Sequence, residues 1–308
     1  MISPMIVLLA GLACAAGGGE LFLRGLRRLA RGSGLSEALF GATFAAFATS
    51  SPELAVALRS AWAGTPELSL GDCIGSNVVN VALILGGALL LGPLHGSRES
   101  LRRDMPAALL AVAGVGLLAA DGILSRLDGA VLLAGFGTWL TIGIRDAMRS
   151  RVRAEAAASS FRPRDFLMAI AGLGLLLLAA RLIVSGAQDV AAVLGWPAFV
   201  VGALIVAVGT STPEIVTTLY ARWRGADDIG LGTILGSNIF NLLFIVAIAA
   251  LLHPVSVVGP GPWIGLAGGA VTLAIAYPGS DGRLGRGRAT ALLACYGLQM
   301  AATWWFGA

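Results

Sequence analysis

The chain has 308 residues, 57% of them hydrophobic and 12% charged, with a mean hydropathy of +0.85. Soluble domains carry about 25% charged residues, so a soluble globular protein is excluded and an integral membrane protein is expected. The net charge of +4 is carried by arginines at the ends of apolar runs, which marks membrane topology and not a nucleic-acid-binding face.

A spanning helix needs roughly 20 mostly apolar residues. In chain order such runs fall at about 4–23, 38–62, 69–94, 105–120, 127–145, 165–184, 198–221, 229–252, 261–277 and 289–306. The first begins with Met1 to Ala16, has no basic residue ahead of its apolar stretch, and is read as a transmembrane helix in place of a signal peptide. Residues 147–163, rich in Arg, Ala and Ser, read as a short solvated linker between halves of about 1–146 and 164–308 within one transmembrane domain. The three cysteines, Cys14, Cys73 and Cys295, lie far apart in apolar stretches and read as packing residues.

Two stretches occur twice. Residues 41–53 end in Thr-Ser-Ser-Pro-Glu and residues 202–214 in Thr-Ser-Thr-Pro-Glu, 161 positions later. At the same offset, Gly75-Ser76-Asn77-Val78-Val79-Asn80 returns as Gly236-Ser237-Asn238-Ile239-Phe240-Asn241. A repeat built from five helices, an odd number, re-enters the membrane in the opposite sense, so the halves are expected to form an inverted repeat. The fold class predicted is all-α integral membrane, ten transmembrane helices as two inverted five-helix repeats with broken helices at the midplane.

The arginines test that count. With both termini outside, the cytoplasmic loops hold Arg24, Arg27, Arg28, Arg31, Arg98, Arg102, Arg103, Arg145, Arg149, Arg151, Arg153, Arg162, Arg164, Arg222, Arg224, Arg283, Arg286 and Arg288. The outer loops hold Arg59 and Arg126. This asymmetry follows the positive-inside rule and puts the linker in the cytoplasm.

Pro52 and Pro213 fall inside apolar runs, where each removes an amide donor and should break its helix. Broken backbone at mid-membrane is tolerated around a cavity, and Thr49, Ser50, Thr210 and Ser211 are placed beside it as oxygen ligands together with the freed carbonyls. Glu53 and Glu214 are the sharpest residues. A carboxylate at a helix centre costs about 2.5–3.5 kcal/mol on insertion scales, and a bound cation offsets both that cost and the mutual repulsion. Ser76 with Asn80, and Ser237 with Asn241, are four residues apart and share a helix face, so each pair can point at one centre. Asn77 and Asn238 lie on another face and are expected to bond the broken backbone of neighbouring helices. The sum is an all-oxygen site with two carboxylates, suited to Ca²⁺ and usable by Na⁺.

These paired motifs resemble the alpha-repeats of the calcium/cation antiporter superfamily, specifically the sodium/calcium exchanger family of prokaryotic type, over both repeats and the ten-helix layout. The resemblance implies that the transported ions are coordinated by Thr49, Ser50, Glu53, Ser76 and Asn80 and by Thr210, Ser211, Glu214, Ser237 and Asn241. Asn241 stands where potassium-dependent members have Asp, which weighs against potassium co-transport; Ala48 replaces the usual Gly; and Asp72 stands where relatives commonly carry Asn. Asp72 reads equally as a peripheral acid on the ion path and as an interfacial residue facing water.

The function expected is a secondary antiporter of the plasma (inner) membrane that exports Ca²⁺ in exchange for Na⁺, with no cofactor, no catalytic residue, and no nucleic-acid or obligate protein partner. By analogy with the family, the first and sixth helices slide across a fixed core, and the glycines at Gly17–Gly19, Gly172 and Gly174 suit such contacts. A Ca²⁺/H⁺ antiporter is the alternative, since the glutamates could carry protons instead. A channel is disfavoured because the repeat closes a site within one chain, and an enzyme because no Ser-His or Cys-His arrangement occurs. Glu20 and Arg181, also one offset apart, are expected to snorkel to opposite interfaces in preference to pairing; His95 and His253 read as interfacial, and Trp304 and Trp305 as part of an aromatic belt.

Overall fold

Apolar runs punctuated by proline, glycine and arginine become helices, and a computed structural model describes residues 14, 17–30, 36–62, 64, 66–151, 163–194, 203, 207–279 and 282–307. Helix α1 covers residues 17–30, and the second apolar run becomes two helices, α2 (Ala38–Thr49) and α3 (Ser51–Trp62). Then come α4 (Pro66–Leu90), α5 (Ser100–Asp121), α6 (Arg126–Arg151) and α7 (Pro163–Leu194). The second half continues with α8 (Ala207–Thr210), α9 (Thr212–Trp223), α10 (Asp227–Leu252), α11 (Pro260–Ala276) and α12 (Arg286–Gly307). Four of these, α4, α5, α10 and the stretch Arg126–Asp146 of α6, are long and apolar enough to cross a membrane.

The duplicated motifs lie on α2 to α4 and α8 to α10, and these sit at the centre. In α4 and α10, 83% and 78% of the most apolar window is buried inside the protein, against 39% and 22% in α5 and α6, so the second pair faces outward. A helix that buries polar residues on every side needs close neighbours. Gly236 supplies one: a methyl group there would lie 2.2 Å from the carbonyl oxygen of Ala42 on α2. Gly75 does the same more loosely, with Ala203 O at 2.9 Å.

Two short ribbons tie the halves together. Strand β1 (Leu94–His95) pairs antiparallel with β4 (Arg283–Leu284), and β2 (Ile123–Leu124) with β3 (Val255–Ser256). Leu94 and Val255 are 161 apart, as are Ile123 and Leu284, so the ribbons repeat one arrangement. Because the 22 residues of α5 run from one ribbon to the other, about 33 Å at 1.5 Å per residue, the ribbons lie at opposite ends of the bundle.

The end bearing β1 and β4 gathers the ion pairs. Glu20 on α1 accepts from Arg224 at 2.6 Å and also pairs with Arg24; Arg28 reaches Asp165 at 3.0 Å and Arg222 reaches Asp227 at 2.7 Å. Glu20 is thus held by arginines at that end, a pairing the sequence reading did not foresee; the side chain of Arg181 lies outside the described residues. His95, in β1, and His253, just after α10, are exposed, and Trp304 and Trp305 are exposed near the end of α12.

Three boundaries differ from the sequence reading. The fourth segment starts at Ser100, not near 105, through a π-helical turn over Ser100–Asp104. Within that turn Asp104 is buried, taking Arg103 at 2.7 Å and the indole N–H of Trp139 at 3.0 Å. A paired acid can enter the helix because its charge is met inside the protein. The sixth segment extends to Leu194, and α6 extends to Arg151, taking part of the linker. The rest of the linker, 152–162, and residues 1–13 lie outside the described residues. Cys73 is buried, Cys14 and Cys295 half-buried, and all three are free thiols.

Candidate functional site

The proline of each Thr-Ser-x-Pro-Glu motif sets the local geometry. Pro52 and Pro213 occupy the first turn of α3 and α9, where a missing N–H costs least. The chain leaves helical geometry at one residue on each side of the repeat, Ser50 (ψ 14°) and Ser211 (ψ 5°). The break is narrower than the sequence implies: Ser50 and Ser211 keep N–H bonds to Ala46 and Ala207 at 2.9 and 3.1 Å, and the Ala48 carbonyl that Pro52 frees is taken by the hydroxyl of Ser51 at 2.8 Å. The second half-helix therefore starts at mid-protein, with its acid in the first turn: Glu53 in α3, Glu214 in α9. The positive end of each half-helix faces its own carboxylate.

Around this pair the structure brings together the ten residues singled out in the sequence. Thr49, Ser50, Glu53, Ser76, Asn80, Thr210, Ser211, Glu214, Ser237 and Asn241 are all buried. The hydroxyls of Ser50 and Ser237, 2.9 Å apart, both donate to Oε1 of Glu214, at 2.9 and 3.1 Å. Thr49 lies beside Glu214 and Ser76 beside Glu53. Thr49 donates to the Ala45 carbonyl of its own helix at 3.0 Å.

What remains is a set of oxygens with nothing to bond. Both carboxylate oxygens of Glu53, Oε2 of Glu214, Oδ1 of Asn80, Oδ1 of Asn241 and Oγ of Ser211 are buried and have no hydrogen-bond partner among the described residues. Buried acceptors are normally satisfied, since leaving one bare costs about 1–3 kcal/mol. These six oxygens, contributed by both repeats, are of the kind that a hard cation takes as ligands.

The asparagines that neighbour the site depart from the sequence reading. Asn77 donates to the backbone carbonyl of Asn238 at 3.0 Å, and Asn238 to that of Asn77 at 3.2 Å. They therefore join α4 to α10 and do not bond the broken backbone at Ser50 and Ser211. Their side-chain oxygens in turn accept from the neighbouring motif residues: Asn80 Nδ2 donates to Asn238 Oδ1 and Asn241 Nδ2 to Asn77 Oδ1, both at 3.0 Å. Committing both amide N–H groups in this way turns the free Oδ1 of Asn80 and of Asn241 elsewhere. The reason is local: α4 and α10 carry π turns over Val79–Leu85 and Asn241–Ile245, next to these residues, and a π turn loosens the ladder where side chains can enter it. Nothing in the motif spacing announces a π turn.

The site is not two-fold symmetric. The arrangement Ser50–Glu214–Ser237 is closed by hydrogen bonds, whereas its counterpart Ser211–Glu53–Ser76 is open, with Ser76 turned to Ala207 O at 3.5 Å and Thr210 at 3.4 Å. Thr210 in turn donates to Asp72 at 3.1 Å. Asp72 is fully buried, so of its two sequence readings the interfacial one is excluded. Of the glycines expected to line helix crossings, Gly18 and Gly172 meet backbone to backbone between α1 and α7, while Gly17 and Gly174 face open space.

The profile of the family described as sodium/calcium exchanger protein matches residues 3–145 and again 165–305. Among its relatives, a protein named putative antiporter CaxA of Alkalimonas amylolytica is 31% identical over 262 residues, covering 82% of each chain. The sodium/calcium exchanger MaX1 of Methanosarcina acetivorans is 27% identical, covering 82% of this chain and 84% of its own. A solved structure of the sodium-calcium exchanger NCX_Mj, soaked with zero Na⁺ and Ca²⁺, superposes with a TM-score of 0.82 at 28% identity, covering 98% of this chain and 99% of the other. The chain is a membrane transporter and not an enzyme, and it belongs to the sodium/calcium exchanger family.

Proposed function

We propose that the protein is an antiporter that exports Ca²⁺ from the cytoplasm in exchange for Na⁺. The observation that carries this reading is the set of bare, buried oxygens on Glu53, Glu214, Asn80, Asn241 and Ser211. With Thr49, Ser50, Ser76, Thr210 and Ser237 they make up the ion-binding site. Two carboxylates balance one divalent ion or two monovalent ions. A site that can hold either but not both at once enforces exchange, because ions loaded on one side must be displaced by the others on the opposite side. Asn77 and Asn238 hold the frame, and Pro52 and Pro213 keep the hinge.

The protein spans the inner membrane ten times as two inverted repeats, about 1–146 and 164–308, with both termini outside. Three features support that orientation: the arginine excess of alternate loops, the two ribbons at opposite ends, and the ion pairs gathered at the β1–β4 end. Alternating access arises as α1 and α7, which cross at Gly18 and Gly172, move across the core formed by α4 and α10.

The test is Ca²⁺ uptake by the purified chain in proteoliposomes. An outward Na⁺ gradient is expected to drive uptake, and Glu53→Gln or Glu214→Gln to abolish it while the protein still inserts. Uptake driven by a pH gradient and indifferent to Na⁺ would overturn Na⁺ as the counter-ion. Uptake that needs no counter-ion would overturn antiport.

A further inference from the structure

Asp72 is a buried carboxylate that the exchange site leaves out and, unlike the buried Asp104 and Asp165, it meets no arginine among the described residues. It lies on α4 four residues before Ser76, which is four before Asn80, and Ser69 precedes it by three; all four are buried. Such spacing sets them along one face, Asp72 about 6 Å from Ser76 along the axis. Three of these side chains end in an oxygen with no partner among the described residues: Ser69 Oγ, Asp72 Oδ2 and Asn80 Oδ1. The file runs from the site towards the face of the membrane where α3 ends at Trp62 and α4 begins at Pro66.

The opposite repeat has no such file. The positions on α10 that correspond to Ser69 and Asp72 are Gly230, which has no side chain, and Thr233, whose hydroxyl is closed on the Ile229 carbonyl of its own helix at 2.8 Å. At the hinge, Thr210 reaches Asp72 Oδ1 at 3.1 Å as well as the Ala207 carbonyl of its own helix at 3.2 Å, while its counterpart Thr49, which donates to the Ala45 carbonyl at 3.0 Å, has a threonine, Thr233, at the position that matches Asp72. Asp72 is close enough to Glu53 and Glu214 for their charges to act on one another. No three acidic, His or Cys side chains among the described residues converge as one cluster, which sets Asp72 apart from the Glu53–Glu214 pair. No arginine pairs with it among the described residues. An anchor for Thr210 alone would need one oxygen and no charge; the second, bare oxygen has a use if a cation passes.

We propose that Asp72 forms a second cation station on one side only of the Glu53–Glu214 centre, through which ions enter and leave at the Trp62 face, the outer face in the orientation given above. Thr210 links the station to the centre, because its hydroxyl lies between Asp72 and Ser76. A negative charge in a narrow low-dielectric passage concentrates cations at its mouth and speeds their capture, so the effect belongs to apparent affinity at that face.

This inference rests on the antiport reading, and the experiment separates the two. Na⁺-dependent Ca²⁺ exchange is measured in membrane vesicles of each orientation, giving a KM for Ca²⁺ at each face. Asp72→Asn is expected to raise KM at the Trp62 face by about tenfold, with the other face and the maximal rate within about twofold. Asp72→Asn combined with Thr233→Asp is expected to move the advantage to the opposite face. If Asp72→Asn fails to insert, Thr233→Asp alone decides, by lowering KM at that opposite face. A change that is equal at both faces, absent, or confined to the maximal rate would overturn the station and leave the antiport reading intact. Wild-type vesicles without Na⁺-dependent exchange would overturn both.

Discussion

Asn77 and Asn238 each donate a side-chain amide to the backbone carbonyl of the other, across the boundary between the two repeats. Their separation in sequence, 161, is the repeat offset itself, so one residue position contacts its own counterpart. This holds only if a pseudo-two-fold axis passes between them, and it places α4 and α10 about that axis. The clamp also orients Asn80 and Asn241, whose amide N–H groups end on Asn238 and Asn77.

Breaking the clamp should cost stability and ion binding together. Asn77→Ala removes the donor to Asn238 O and the acceptor for Asn241, leaving buried groups unpaired at about 1–3 kcal/mol each. Thermal unfolding in detergent is expected to shift down, and Asn77→Ala with Asn238→Ala to cost less than the sum of the two, because each already removes part of the other's partner set. A strictly additive double variant would show that the two amides act independently.

The two glutamates should respond differently to neutralisation in Ca²⁺-free buffer. Among the described residues Glu214 accepts two hydroxyl hydrogen bonds on Oε1 and Glu53 accepts none, so Glu214→Gln disturbs a half-satisfied carboxylate while Glu53→Gln relieves an unsatisfied one. Melting without Ca²⁺ is expected to fall for Glu214→Gln and to hold or rise for Glu53→Gln. Both should lose the stabilisation that Ca²⁺ confers on the wild type, about 2.7 kcal/mol at a concentration a hundredfold above Kd. Retained Ca²⁺ stabilisation in Glu53→Gln would remove that residue from the site.

Glycine positions offer a graded test of packing. At Gly236 a methyl group meets the Ala42 carbonyl at 2.2 Å, and backbone cannot step aside as a side chain can. Gly236→Ala is expected to destabilise by about 1–3 kcal/mol or to prevent folding, whereas Gly174→Ala, with open space around it, should be neutral or stabilise by up to about 1 kcal/mol through helix propensity. Expression and melting of the two variants side by side would check the close approach of α10 to α2.

The buried pair at the start of α5 should behave as a unit. Asp104→Ala leaves the Arg103 guanidinium, 8% exposed, without its counter-charge, at about 3–5 kcal/mol. Arg103→Met with Asp104→Leu removes both charges and is expected to recover most of that loss in a melting experiment. Trp139→Phe deletes one donor to Asp104 and should cost about 1 kcal/mol.

Much of this molecule can be read without coordinates, because the membrane allows few solutions. The apolar runs, the arginine asymmetry and the prolines beside glutamates each follow from the cost of polar groups in lipid, and the ten candidate site residues are the polar residues of the duplicated motifs, for which the family resemblance implies ion coordination. Boundaries near arginine were less legible. Arg103 and Asp104 enter the helix because they pair with each other and with Trp139, and such a pairing depends on a distant side chain.

Side-chain partnership belongs to the tertiary structure. The motifs repeat almost letter for letter, yet Glu214 is closed by Ser50 and Ser237 while Glu53 is bare, and Asp72 has a counterpart that cannot share its role. Sequence determines which oxygens are available and that two sets of them are related by one offset. Which of them are satisfied by neighbours, and which are left to meet an ion, is decided when α4 and α10 pack against each other and against α2 and α8. A hydrogen bond has a length and a direction, and both are set only when the chain has closed on itself.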